Sequence, residues 1–112
     1  MHKPIIAVLT PEAKDFLKSL DKGIRQDFGV SIRKLQDGET VSNFKKLVNT
    51  DGIYEFSVNA PHHTYRLFAF WDTRGATQTL IVCTHGLDKK TQKTPPQEIK
   101  KAEQLKRRHF GN

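Results

Sequence analysis

Apolar positions along the chain follow two periods, and each change of period marks an element. Ile5 to Leu9 is a short unbroken apolar run, which predicts a strand buried on both faces. Thr10-Pro11-Glu12 then signals a helix start: a capping threonine, a proline at the first helical position and an acid in the first turn. Ala13, Phe16, Leu17 and Leu20 follow at helical spacing, which puts one apolar stripe on a short helix. Asp21 can cap a second helix striped by Ile24, Phe28, Ile32 and Leu35, with Gly38 where a terminating glycine belongs. Val41 to Asn49 is read as a connection, and Asp51-Gly52 as a turn.

From there the period becomes two. Tyr54, Phe56 and Val58 alternate with Glu55 and Ser57, and a turn at Asn59 to His62 folds this strand onto Thr64 to Asp72. A second turn at Thr73-Arg74-Gly75 leads to a strand over Leu80 to Thr84. Thr94-Pro95-Pro96-Gln97 reads as a capping box opening a third helix, with Ile99, Ala102 and Leu105 as its narrow apolar stripe. Strands and helices are segregated apart from the first strand. The fold class is therefore α+β: a small antiparallel-rich sheet of about four strands, a helical hairpin on one face and a C-terminal helix. The whole length, residues 1–112, reads as one domain.

Register decides which polar residues meet. Pairing Val58 with His63 would set Glu55 opposite Arg66, either as a plain cross-strand ion pair or as a carboxylate that positions an arginine. A slip of one residue in the second hairpin decides whether His85 joins the Arg66 face, and the sequence leaves that open. The expectation for Arg66 is an open groove, so that its loss spares the fold.

Composition changes this picture in one respect. The net charge is +7, which favours a polyanionic partner such as nucleic acid. Cys83 is the only cysteine, which excludes an intrachain disulfide, and its apolar strand suggests a small core residue. No signal-peptide pattern and no run of transmembrane length is present, so a cytoplasmic location is the default and no membrane partner is expected. No metal-ligand spacing, glycine-rich phosphate loop or nucleophile elbow occurs, and no cofactor is expected.

The chemistry that remains lies in Arg66, His85, Lys89, Lys90, Lys93 and Glu55. Metal-free cleavage of RNA needs a base at a ribose 2′-hydroxyl, cations for the developing phosphorane charge and an acid for the leaving oxygen. Arginine suits the charge through its planar fork of donors, and histidine titrates near neutrality. From the pattern alone, a solvated basic surface that only binds a phosphate backbone is the more common outcome for such residues.

At these residues the sequence resembles the phage-derived branch of RelE/HigB-like toxins of bacterial type II toxin–antitoxin modules. The resemblance rests on Gly52-Ile53-Tyr54-Glu55-Phe56, on Tyr65-Arg66-Leu67-Phe68, on His85-Gly86-Leu87-Asp88-Lys89-Lys90-Thr91-Gln92-Lys93-Thr94-Pro95, and on Glu98-Ile99 with Ala102. It implies a RelE-like microbial ribonuclease architecture, a compact sheet with helices on one face. It implies cleavage of messenger RNA on the ribosome and inhibition by a cognate antitoxin, expected to be a helix-turn-helix protein. Arg66 then matches a catalytic arginine, and Lys89, Lys90 and Lys93 match a loop of functional cations, with His85 and Gln92 as further carry-overs. Lys100, Lys101, Arg107 and Arg108 on the last helix add a basic surface for RNA. Two lysines that the RelE type keeps on the strand before Tyr-Arg are replaced here by Glu55 and Ser57. The expected activity is a ribosome-dependent, metal-independent endoribonuclease toxin; the alternatives are a ParE-like gyrase poison and a non-catalytic RNA-binding protein of the same fold.

Overall fold

The computed structural model describes residues 3–89 and 96–111. Five strands and three helices follow in the order β1 (Ile5–Leu9), α1 (Pro11–Ser19), α2 (Lys22–Gln36), β2 (Phe44–Lys46), β3 (Tyr54–Asn59), β4 (His63–Asp72), β5 (Gln78–Lys89) and α3 (Pro96–His109). They form one sheet in the order β1-β5-β4-β3-β2, antiparallel except where β1 runs parallel to β5. The α+β class holds. The fifth strand, β2, is three residues long and comes from the stretch expected to be a connection.

The two helical stripes predicted from spacing cover one face. Ala13 and Phe16 of α1, with Phe28 and Ile32 of α2, pack on Phe56, Val58, Leu67, Ala69, Leu80 and Val82. Thr10 caps α1 through its side chain, and proline occupies the first turn. Asp21 stands at the N-cap of α2 without a side-chain bond. Gly38 closes α2 at φ 78°, and the amides of Gly38 and Glu39 donate to the carbonyls of Leu35 and Lys34.

Helix α3 lies on the other face, where Ala102 and Ile99 join Ile53, Phe68, Phe70 and Cys83. This corrects the expectation of helices on one side only: the alternation on β4 sends Leu67 and Ala69 one way and Phe68 and Phe70 the other, and both sets are apolar enough to demand cover. A buried double-faced β1 is also corrected. Ala7 and Leu9 face the hairpin helices, but Ile6 and Val8 are half-exposed on the α3 side, because α3 does not reach this edge strand.

Burial pushes the Cys83 thiol up to about 11, which fits its place as a small core group rather than a nucleophile. No described helix is long and apolar enough to cross a membrane.

Candidate functional site

The sheet carries two charged centres, one on the α3 face and one at the edge of β5 under α1. On the α3 side, β3 and β4 pair with Asn59 opposite Thr64, two residues away from the expected register, so Arg66 faces Ser57 while Glu55 faces Phe68. A shift of two keeps side chains on their face. Glu55 and Arg66 are therefore diagonal neighbours, and Arg66 Nη1 donates to Glu55 Oε1 at 2.7 Å. The carboxylate is sealed, at 1% side-chain exposure, and the arginine keeps 16%. Gly86 lies opposite Arg66, and a Cβ there would come within 3.2 Å of Phe68 Cε2, so the missing side chain makes room for that ring. The open groove expected around Arg66 is thus overturned. Glu55 cannot touch a substrate; its place is to hold the arginine. Its second oxygen, Oε2, is buried and has no hydrogen-bond partner among the described residues.

His85 is not part of that centre. A β-bulge between Phe68 and Ala69 resets the β4–β5 register, so that His85 faces Leu67 and lies on the side of α1 and α2. There its ring stacks on Phe16 at 4.4 Å between centroids, with the planes 16° apart. Its Nδ1 lies 3.0 Å from Glu12 Oε2, and Lys101 Nζ donates to Glu12 Oε1 at 2.6 Å. Burial raises the Glu12 carboxyl, but Lys101 and His85 outweigh it and hold the group below the usual carboxylate value. The same bond raises Lys101. Glu12, as a carboxylate, is therefore the acceptor, so Nδ1 carries a proton and Nε2 is the ring nitrogen turned away from Glu12, the one that holds the lone pair in the neutral ring. The side chains of His85, Glu12 and Lys101 are 39%, 30% and 50% exposed.

Glu12 is the residue that the sequence did not bring forward. It looked like an ordinary first-turn acid, and it is one. Parallel pairing of β1 with β5 ends at Leu9 beside Val82. The Thr10 side chain then donates to the Cys83 carbonyl at 2.7 Å, and three residues beyond each strand position Glu12 meets His85. Beyond Val82, among the described residues, no strand pairs with the outer edge of β5, and the start of α1 lies against it instead.

The other expected site residues divide into three groups. Lys89 ends β5 opposite His63. Lys90, Gln92 and Lys93, with the Thr94 cap, lie outside the described residues. Lys100, Arg107 and Arg108 are exposed on α3, and Lys101 is brought to His85 through Glu12. Elsewhere, Asp72 accepts from Arg74 and His109, which fastens the end of α3 to the β4–β5 turn and holds the Asp72 carboxyl well below its usual range. A cleft of about 470 Å³ between α2 and the edge of β3 is lined by Asp27, Ser31, Lys34, Asn43 and Ser57, and neither charged centre opens into it. Among the described residues, no three His, Cys, Asp or Glu side chains gather as a set of metal ligands.

No curated protein and no solved structure matches the chain significantly. A family model does match, described as Phage derived protein Gp49-like, over residues 15–107, which takes in both strands of the Arg66 pair, His85 and Lys101. The chain belongs to this Gp49-like family of phage-derived proteins, which is grouped with the toxins of toxin–antitoxin modules.

Proposed function

We propose that the protein is a toxin of the RelE/HigB kind, a cytoplasmic, ribosome-dependent endoribonuclease that needs no metal and is restrained by a cognate antitoxin. One observation carries this reading: a half-exposed imidazole held by a carboxylate, with a lysine on that same carboxylate, at the edge of β5.

The chemistry follows from the three groups. His85 Nε2 takes the proton of a ribose 2′-hydroxyl. The 2′-oxygen bonds to the adjacent phosphorus, and the bond from phosphorus to the 5′-oxygen breaks. The leaving oxygen takes a proton from water. The products are a 2′,3′-cyclic phosphate and a 5′-hydroxyl. Lys101, kept charged by Glu12, lies beside the base and offsets phosphate charge. Arg66, a planar fork of donors held in place by Glu55, adds a phosphate anchor from the other face of the sheet, together with Lys89, Lys90, Lys93 and Gln92.

A second reading has one observation in its favour. Glu55 and Ser57 occupy the strand positions where RelE-type toxins have lysines, which suits a gyrase poison or a non-catalytic RNA-binding protein of the same fold. Primer extension on ribosome-bound message, beside a gyrase supercoiling assay, separates the two. The ribonuclease reading expects new 5′ ends within the message, formed in the presence of a chelator at a magnesium level that keeps ribosomes intact. Inhibited supercoiling with intact message would overturn it.

A further inference from the structure

The sheet face that carries His85 continues past the cover of the helical hairpin. His63, Tyr65 and Leu67 of β4 share this face with Leu87 and His85 of β5, with Tyr65 opposite Leu87 and Leu67 opposite His85. Leu67 is fully buried under the helices. Leu87 is 52% exposed, and the rings of Tyr65 and His63 are partly open. Phe16 is the last aromatic of the helical layer, and from it the rings form a chain. His85 stacks on Phe16 at 4.4 Å, Tyr65 follows 6.5 Å from Phe16, and His63 lies 6.4 Å from Tyr65. An apolar floor with three polar-tipped rings, at the end of a ribbon leading into a lysine-rich segment, is an unusual surface to leave open.

We propose that this strip is a stacking platform for the unpaired bases of single-stranded RNA next to the bond that His85 addresses. The proposal rests on the ribonuclease reading for its substrate and adds the part of the substrate that is held. Four features favour RNA over a protein partner. The chain carries a net charge of +7, which suits a polyanion. The rings end in imidazole nitrogens and a phenol, which can reach base edges while their faces stack. Stacking on an aromatic face tolerates any base. The strip is also continuous with the His85, Glu12 and Lys101 centre through Phe16.

The test uses a short single-stranded RNA made uncleavable by 2′-O-methylation, with an abasic strand of equal length as the control. Binding is read by fluorescence anisotropy with the full-length protein. Tyr65→Ala is expected to weaken the methylated RNA about tenfold to a hundredfold, the loss of one stacked base, and to leave the abasic strand unchanged. Tyr65→Phe keeps the ring and should retain most of the affinity that Tyr65→Ala loses. Should Tyr65→Ala fail to fold, Leu87→Ser and His63→Ala on the exposed part of the strip read the same surface. Unchanged affinity in these variants, equal loss for the abasic strand, or no RNA binding by the wild type would overturn the proposal. So would a Tyr65→Ala protein that keeps RNA and loses a protein partner. Because the probe cannot be cut, base-dependent binding without cleavage of unmodified message would retain the platform and sink only the ribonuclease reading.

Discussion

The two charged centres of the sheet use similar groups to different ends. Each sets a carboxylate against a cation at hydrogen-bond distance, 2.7 Å for Glu55 with Arg66 and 2.6 Å for Glu12 with Lys101. Glu55 is sealed beneath the α3 side of the sheet, whereas Glu12 sits at an open edge with a histidine on its other oxygen. In a sealed pair the carboxylate has no alternative partner, so the arginine is held in place and the fold depends on it. At an exposed edge the same kind of contact contributes little to stability, and what it fixes is the orientation and tautomer of the imidazole. The distances are alike; burial separates a guanidinium fixed in place as an anchor from an imidazole placed for proton transfer.

The largest expected difference between the two centres is in stability. Arg66→Ala leaves Glu55 buried and uncompensated, an expected loss of roughly 3–5 kcal/mol in urea or thermal unfolding. Removing both charges with Arg66→Met and Glu55→Leu should recover much of it. Lys101→Ala, by contrast, should cost under about 1 kcal/mol. A small effect of Arg66→Ala would place that arginine in the open groove expected from the sequence.

On the exposed side the expected effect is kinetic. Glu12→Gln should slow single-turnover cleavage about tenfold to a hundredfold with little change in melting temperature, a part of what general acid–base catalysis contributes. Nitrogen NMR of the neutral His85 ring should show the proton on Nδ1 in the wild type and a mixture of tautomers in Glu12→Gln. An unchanged tautomer would mean that Glu12 does not set it.

A smaller effect concerns the basic face of α3. Replacing Lys100, Arg107 and Arg108 together with Ala should flatten the salt dependence of RNA binding by about 0.7 for each phosphate that the helix no longer neutralises. An unchanged slope would assign this face to another partner.

The smallest effect is in acid. Arg74, then His109, hold the folded Asp72 carboxyl below its ordinary value of 3.8. Its contribution to stability is therefore present above that value and is lost as pH falls below it toward the depressed one. Asp72→Asn should flatten the fall of melting temperature below pH 3.8, and an identical pH profile for both proteins would show that the contact carries no stability.

Local rules made the helices and the two hairpins legible, because caps, apolar stripes and alternation are written in neighbouring residues. Thr10 and Gly38 act as their types suggest, and the apolar side of each hairpin helix is the one the spacing marks. The pairing of Glu55 with Arg66 was legible for the same reason: a register error of two preserves the face. What could not be read depends on odd shifts and distant pairing. The bulge at Phe68 and Ala69 turns His85 to the other side of the sheet, and no residue type in that stretch announces it. Glu12 reaches His85 only through the parallel pairing of two strands far apart in sequence. The cover of α3 on the second face followed from Phe68, Phe70 and Cys83, which the pattern showed to be apolar without showing what packs on them.

The most direct test sets one conservative variant in each centre against the other. Single-turnover cleavage of ribosome-bound message is measured for the wild type, His85→Gln and Arg66→Lys, each first shown to be folded. The expected loss is about 10²–10⁴-fold in His85→Gln, the usual contribution of a general base, and within about tenfold in Arg66→Lys, which gives up the planar fork but keeps a charge beside Glu55 and leaves the base in place. Cleavage that survives in His85→Gln and disappears in Arg66→Lys would move the chemistry to the Glu55–Arg66 pair and rule out His85 as the base.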